Sequence, residues 1–415
     1  MFYPSDALRM SDQIPMLDAI KQEIQREVCK IENDLWNTAI FIHEHPELGS
    51  QEFQAAEKLT GLLEQHGFTI EREIAGMKTA FRAAYSLNGT STPTIAYLAE
   101  YDALPEVGHA CGHNLIGVMS VGAGIALSKI RNGLSGRIVV LGTPDEEGGG
   151  GKIAMVKQHV FDDIDAAMMI HPGSKNVKRK WNLAAFSVFV EFFGKPAHAA
   201  AKPFEGINAL DAMIQLFVNV GLLRQQLTDD VRIHGIITHG GVAANIIPEY
   251  TRAKFVVRAS ELARTYQVVE KFKNCVRAAA LATGATERIH LDEDSIYEPL
   301  LPNDTLIELY AQNMKRVGVD VEEQPAGELG GSSDIGNVSQ VIPAIHPTLS
   351  IVSPGVDIPG HSREFAIAAK SEQAKIAMTK GIQALALCGS DLLGNIEVLN
   401  AVKAEFEQRA VKNVA

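Results

Sequence analysis

Cysteine is scarce and scattered in this chain, with four in 415 residues at positions 29, 111, 275 and 388. A disulfide-stapled secreted scaffold is small and Cys-dense, so that class is excluded and the reducing cytoplasm is the expected location. Aromatic residues make up only 6% of the chain, too few for a base-stacking platform. Basic residues are outnumbered, 38 Lys and Arg against 50 Asp and Glu, for a formal charge of −12. A surface of that sign is repelled by phosphate backbones and anionic lipid, so neither nucleic acid nor membrane is an expected partner. No apolar run approaches the ~20 residues of a membrane-crossing helix. The N-terminal MFYPSDALRMSDQ lacks the basic start and apolar run of a signal peptide. What is present is ordinary globular composition, 46% apolar and 21% charged, over a length that suits two or three domains.

Apolar residues at helical spacing (Leu17, Ile20, Ile24, Val28, Ile31, Leu35) predict an amphipathic helix over 17–36, and a second helix is expected over 51–66. Short apolar runs at 80–85, 94–99, 137–142 and 165–170 alternate with helical stretches at 114–131 and 150–159. That alternation implies an α/β domain with a largely parallel sheet, whose ligands bind beyond the carboxyl ends of the strands. The basic stretch KNVKRKWN near 175–185 reads as a linker. After it, strands 186–194, 232–239, 249–258 and 286–291 and helices 205–225 and 261–282 give the order βαββαβ of a ferredoxin-like split unit. From 303 the α/β pattern resumes with helix 304–316, a Gly/Ser segment at 327–337, a strand around 348–352 and helix 370–388. The expected architecture is an α/β domain (1–184 and 297–415) interrupted by an inserted α+β domain (185–296).

Ligand-type residues follow the strands. Directly after 94–99 come Glu100, Tyr101 and Asp102, then GHACGHN with Cys111 and His113, a thiolate and an imidazole that can both reach Zn²⁺. Strand 137–142 is followed by TPDEEGGGG, whose adjacent Glu146 and Glu147 point in different directions, so one can ligate metal while the other handles protons. A phosphate-loop reading fails because Gly151-Lys152 is followed by Ile153. His171 ends strand 165–170, and His361 lies in the Pro/Gly-constrained SPGVDIPGHSREF. The Cys111 and His113 motif favours a metal site by itself, whereas the Glu pair alone reads as a solvated acidic turn and either His alone as structural; together they supply about the inventory of a two-metal site.

The chain resembles the di-zinc amidohydrolase and peptidase family of aminoacylase, carboxypeptidase G, p-aminobenzoyl-glutamate hydrolase and the auxin-conjugate hydrolases. The resemblance rests on IHEHPELGSQE (42–52), EYDALPEVGHACGHN (100–114), TPDEEGGGGKI (143–153), MIHPG (169–173), GKPAHAAAKPFEGINAL (194–210), GGVAANIIPE (240–249), GSSDIGNVS (331–339) and PGHSREF (359–365). Within the family it looks most like the aminoacylase-like dipeptidase branch. The resemblance implies a catalytic α/β zinc-peptidase domain with an inserted ferredoxin-like lid and dimerisation domain. It implies Cys111, His113, Glu147, His171 and His361 as ligands of two divalent ions, zinc first and manganese or cobalt as alternatives, with Cys111 bridging. Glu146 would be the base and Asp102 would orient a ligand. His198 would stabilise the oxyanion, often from the neighbouring subunit of a homodimer or higher oligomer. Asn245 and Arg258 would receive the substrate. One departure stands out: peptidase branches carry His where this chain has Glu100, and His113 supplies the missing imidazole.

The expected activity is hydrolysis of an amide bond in a small peptide or N-acyl amino acid with a free carboxylate. The alternatives are an aryl- or fatty-acyl amino acid amidohydrolase and a metal-binding scaffold that has lost catalysis. Smaller signals take bland readings on sequence alone. His198 could cap helix 205–225, Asn245 could be a turn residue and Arg258 a solvated strand residue. Ser332, Ser333 and Asp334 read as a Gly-rich turn, and Lys175, Lys178, Arg179 and Lys180 as a solvated face. Cys29, Cys275 and Cys388 read as core thiols.

Overall fold

The computed structural model of the protein describes residues 4–130, 132–324 and 330–414. The chain packs as two compact units: Met1–Lys180 with Leu300–Glu328 and Asn337–Ala415, and Trp181–Pro299 with Leu329–Gly336. The limits differ from 184/185 and 296/297 because hydrogen bonds carry the second unit further. Leu183 N donates to Gly331 O, Gly330 N to Trp181 O, and Ala185 and Tyr297 exchange both backbone bonds. These bonds also draw the Gly/Ser segment into the second unit; its part at 327–329 lies outside the described residues.

The first unit is built on a six-stranded sheet in the spatial order Thr69–Arg72, Phe81–Leu87, Gly136–Gly142, Thr94–Ala99, Ala166–Met168 and Ala344–Ile345. The last four of these are parallel neighbours, whereas Phe81–Leu87 runs antiparallel to both of its own neighbours. The sheet is therefore mixed rather than largely parallel. The reason is local: residues 73–80 return the chain as a short connection, where a parallel step needs a crossover helix. Thr69–Arg72 escapes prediction because it is a polar four-residue edge strand with no buried residue. Strand Thr94–Ala99 is buried along its whole length, as a central parallel strand must be.

Helices Pro4–Glu44, His113–Ser128 and Glu372–Gly394 pack on one another, and the last two also on strand Thr94–Ala99. Every residue of His113–Ser128 is buried, so this helix has no solvent face and no apolar stripe of its own. No single helix among the described residues is long and apolar enough to cross a membrane. The N-terminal helix runs past the expected 17–36 at both ends, and a final helix Ile396–Val414 was not expected. A second, four-stranded sheet joins Glu322–Glu323, Val177–Arg179, Thr348–Ser350 and His171–Gly173. The 175–185 stretch is thus part strand rather than linker.

The second unit has strands Ala184–Phe193, Arg232–His239, Tyr250–Ala259 and Thr286–Leu291 and helices Ala209–Arg224 and Leu262–Thr283, in the order βαββαβ. Its antiparallel sheet is ordered fourth, first, third, second strand. Alternate residues of the first strand (Phe186, Val188, Val190, Phe192) are buried with Met213, Leu216, Phe255 and Phe272 in a core of their own. Asn208 caps the first helix through its side chain, accepting from Leu210 N at 2.9 Å. His198 is therefore not the cap.

Candidate active site

The parallel register aligns the carboxyl ends of three strands: Ala99 lies opposite Gly142, and Tyr97 opposite Met168. The residues that follow each strand must emerge along one sheet edge, and all the ligand-type residues of the first unit except His361 do so. Gly112 sets the spacing of the thiolate and the imidazole. Its φ of +79° turns the chain into helix His113–Ser128, and a Cβ there would meet Pro172 Cβ and Cγ at 2.9 Å. Only glycine fits without displacement. His361 arrives from a distant loop, with left-handed backbone (φ +62°) and its N–H donated to Ala110 O at 2.9 Å.

Single donor atoms of Cys111, His113 and His171 lie within 4.8 Å of one another, as do those of Cys111, Glu147 and His361. The two groups share Cys111. A third group, His113, Glu146 and Glu147, brings the second carboxylate to the same place. Cys111 Sγ is 3.4 Å from His171 Nε2, and His361 Nε2 is 3.3 Å from Glu147 Oε1. His113 Nδ1 donates to Asp102 Oδ1 at 2.8 Å, and His171 Nδ1 donates to Pro172 O at 2.6 Å. Both imidazoles in the neutral form then carry their lone pair on Nε2, turned toward Cys111 or Glu147.

Burial pushes the Cys111 thiol up, but the His171 and His113 imidazoles outweigh it and hold it down to about 5. Burial likewise pushes Glu147 up, and its hydrogen bond to His361 and the charge of His113 carry it below the usual carboxylate range. Hydrogen bonds to Cys111 and Glu147 raise His361 to about 10. Buried His113 Nε2 has no hydrogen-bond partner. A thiolate, carboxylates and imidazole lone pairs gathered around this unsatisfied nitrogen fit a divalent cation of the zinc type.

Glu100 is buried with no exposure, and its Oε1 accepts from buried Lys152 Nζ at 2.6 Å. Its Oε2 faces His113 Nε2 at 3.4 Å. Where the peptidase branches carry an imidazole, this chain therefore has a carboxylate held by a buried ammonium. Sequence pattern does not reveal Lys152 as its partner because the two are 52 residues apart, Lys152 lying in helix Gly151–Lys157.

In the second unit, His198 and Asn245 sit on adjoining loops joined by a bridge between His198 and Ile246, and Asn245 O accepts from Ala199 N at 3.1 Å. Both residues are exposed. His198 Nδ1 accepts from Ala201 N at 3.2 Å and Ala200 N at 3.3 Å, which places the proton of the neutral ring on Nε2. Arg258 is half-buried on strand Tyr250–Ala259, and its Nη1 donates to Ser332 Oγ at 3.1 Å. It is not the solvated strand residue of the bland reading, and the Gly/Ser turn is its partner.

Residues 96–379 match the peptidase family M20/M25/M40. The chain belongs to that family. A mouse protein named Xaa-Arg dipeptidase is 36% identical over 405 residues, covering 94% of this chain and 93% of the relative. A p-aminobenzoyl-glutamate hydrolase polypeptide of Escherichia coli is 33% identical over 72% of this chain and 64% of its own length. A solved Bacillus subtilis structure, described as a dinuclear metal binding peptidase of the M20 family, superposes with a TM-score of 0.61 at 20% identity. That superposition covers 86% of this chain and 98% of that one. This M20 chain is a metal-dependent hydrolase of amide bonds.

Other expectations need correcting in this M20 chain. Cys29 is exposed, because Ile24, Val28 and Leu35 take the buried face of its helix and position 29 is turned away from it. Cys275 is half-buried and Cys388 buried. The basic run is not simply solvated: Lys178 pairs with Glu308 and Glu323, and Arg179 with Glu323 and Asp304.

Proposed function

We propose that the chain is a two-metal peptidase that hydrolyses the amide bond of dipeptides or N-acyl amino acids with a free carboxylate on the leaving amino acid. The observation that carries the reading is the pair of donor groups joined at Cys111, with Glu146 beside His113 and Glu147. Cys111, His113 and His171 would hold one ion and Cys111, Glu147 and His361 the other, zinc first, with manganese or cobalt as alternatives. Ions bound there supply Lewis-acid polarisation of the scissile carbonyl and lower the pKa of water.

The chain's own residues do the rest. Glu146 accepts the proton of the attacking water and returns it to the leaving amine nitrogen. Asp102 holds the His113 ring by Nδ1, so that its lone pair stays on Nε2. His198 offers Nε2–H to the developing oxyanion, while Asn245 and Arg258 receive the substrate, Arg258 at its carboxylate. The 36% identical dipeptidase supports a dipeptide substrate, and the charge of −12 favours one with a cationic side chain. The p-aminobenzoyl-glutamate hydrolase relative supports an acyl amino acid as the second reading.

The inserted unit is read as a ferredoxin-like lid through which two copies form a homodimer. Two features support this. Arg232–His239 is an edge strand with Ile236 and Ile237 exposed, and Ile214, Val218 and Leu222 form an exposed stripe on helix Ala209–Arg224. Four free cysteines support a cytoplasmic location.

The test is a panel of Xaa-Arg, Xaa-Lys and acyl amino acid substrates with Zn²⁺, Mn²⁺ and Co²⁺ supplied separately. Glu146→Gln should keep its metals and lose at least ~100-fold in kcat. A metal-loaded wild-type protein inert across the panel would favour the scaffold reading.

A further inference from the structure

The motif IHEHPELGSQE ends in Glu52, to which the mechanism gives no role. Glu52 has no exposed surface, and a carboxylate is retained in such a place only when its oxygens are hydrogen-bonded. Its Oε1 accepts from Asp145 N at 2.8 Å and Ser50 N at 3.0 Å, and its Oε2 from Thr79 Oγ1 at 2.8 Å. Asp145 immediately precedes Glu146. It has left-handed backbone, φ +60°, which is sparsely populated by residues other than glycine.

Such a conformation persists only where its surroundings over-determine it, and those around Asp145 do. Its Oδ2 accepts from Ser50 Oγ at 2.8 Å, its Oδ1 from Gly149 N at 3.0 Å, and its carbonyl from Gly150 N at 2.8 Å. Gly49 has no side chain because a Cβ there would fall 2.0 Å from Asp145 Oδ1. On the far side of Glu146, Glu147 N donates to Asp102 Oδ2 at 3.0 Å. Two buried carboxylates from separate loops thus grip the backbone N–H groups on either side of Glu146. Asp102 already has a role in orienting His113, whereas Glu52 touches none of the metal-ligating side chains.

We propose that Glu52 is a positioning residue that fixes the direction of the Glu146 side chain by holding the left-handed turn at Asp145. The proposal rests on the reading of Glu146 as the base. A displacement of about 1 Å at a reacting group can cost about 100-fold in rate, so the turn is a sensitive place to act. The bonding pattern also says which substitution should be tolerated. A glutamine keeps one oxygen for the two N–H groups and offers an N–H to Thr79 Oγ1, which can accept as well as donate. An alanine leaves all three donors without Glu52, and an aspartate falls one methylene short of them.

The experiment compares wild type, Glu52→Ala, Glu52→Asp, Glu52→Gln and Glu146→Gln, all metal-loaded, on a dipeptide that wild type cleaves. Metal content, kcat and KM are measured for each. Glu52→Ala and Glu52→Asp should keep two ions and a KM within about twofold, while kcat falls about 10–100-fold. Glu52→Gln should recover kcat to within about threefold. The proposal is overturned if Glu52→Ala has wild-type kcat, if its kcat falls only in step with lost metal, or if Glu52→Gln is as impaired as Glu52→Ala. It is also overturned if neither Glu52→Ala nor Glu52→Asp folds, since the role would then be structural. A fully active Glu146→Gln separates the other failure: the base assignment is wrong and the Glu52 role falls with it.

Discussion

Replacing Gly112 by alanine tests whether the fold, rather than the ligands alone, sets the metal site. Two costs can be read from the structure. The backbone at φ +79° lies where an L-residue pays about 1–2 kcal/mol. The added Cβ would also stand 2.9 Å from Pro172 Cβ and Cγ, in a rigid ring that cannot swing away, and such overpacking costs about 1–3 kcal/mol. The sum is about 2–5 kcal/mol, or about 4–20 °C in Tm at roughly 2–4 °C per kcal/mol. The strain can be relieved only by moving Pro172, next to His171, or the turn that carries Cys111 and His113. Metal affinity should therefore fall along with stability.

The control is Gly89→Ala. Gly89 has φ +73° with nothing within 4 Å of its would-be Cβ, so it keeps the backbone cost of about 1–2 kcal/mol without the clash. The assay pairs calorimetry with chelator competition for Zn²⁺. A Gly112→Ala protein that matches Gly89→Ala in Tm and the wild type in zinc affinity would refute the reasoning.

Three further outcomes are expected. Cys111→Ala should lose metal occupancy and turnover, because the shared donor of the two groups is gone; two ions per chain by elemental analysis would make Cys111 a core thiol. His198→Ala and Glu146→Gln, each nearly inactive, should regain activity when subunits are exchanged if His198 acts across a dimer. Verified heterodimers that stay inactive would place His198 outside trans catalysis. Burial raises Glu52 from 4.5 to about 7, so the folded protein binds this proton more tightly than the unfolded chain. Its contribution is complete below about pH 4.5 and is lost as pH rises through about 7, a change of about 3 kcal/mol. Denaturant titrations of Glu52→Gln should show that much less decline over this window than wild type, and identical slopes would show that Glu52 titrates normally.

Sequence alone determined the features that are local. The period-two and helical patterns located the strands and helices of the second unit to within a few residues, because each amphipathic face is written into neighbouring positions. The ligand-type residues were legible because they follow buried strands, and parallel pairing must bring those strand ends to one edge. Tertiary structure decided what depends on distant partners. Glu52 bonds to Asp145 across 93 residues and Lys152 to Glu100 across 52, and no periodicity records such pairings. The Gly/Ser turn reads as a free loop until Ser332 meets Arg258 and Gly331 meets Leu183. The all-buried helix His113–Ser128 shows no stripe from which its packing could be read. Hydrophobic pattern reports which face of an element turns inward, whereas a buried hydrogen bond is defined by two groups that only folding makes neighbours.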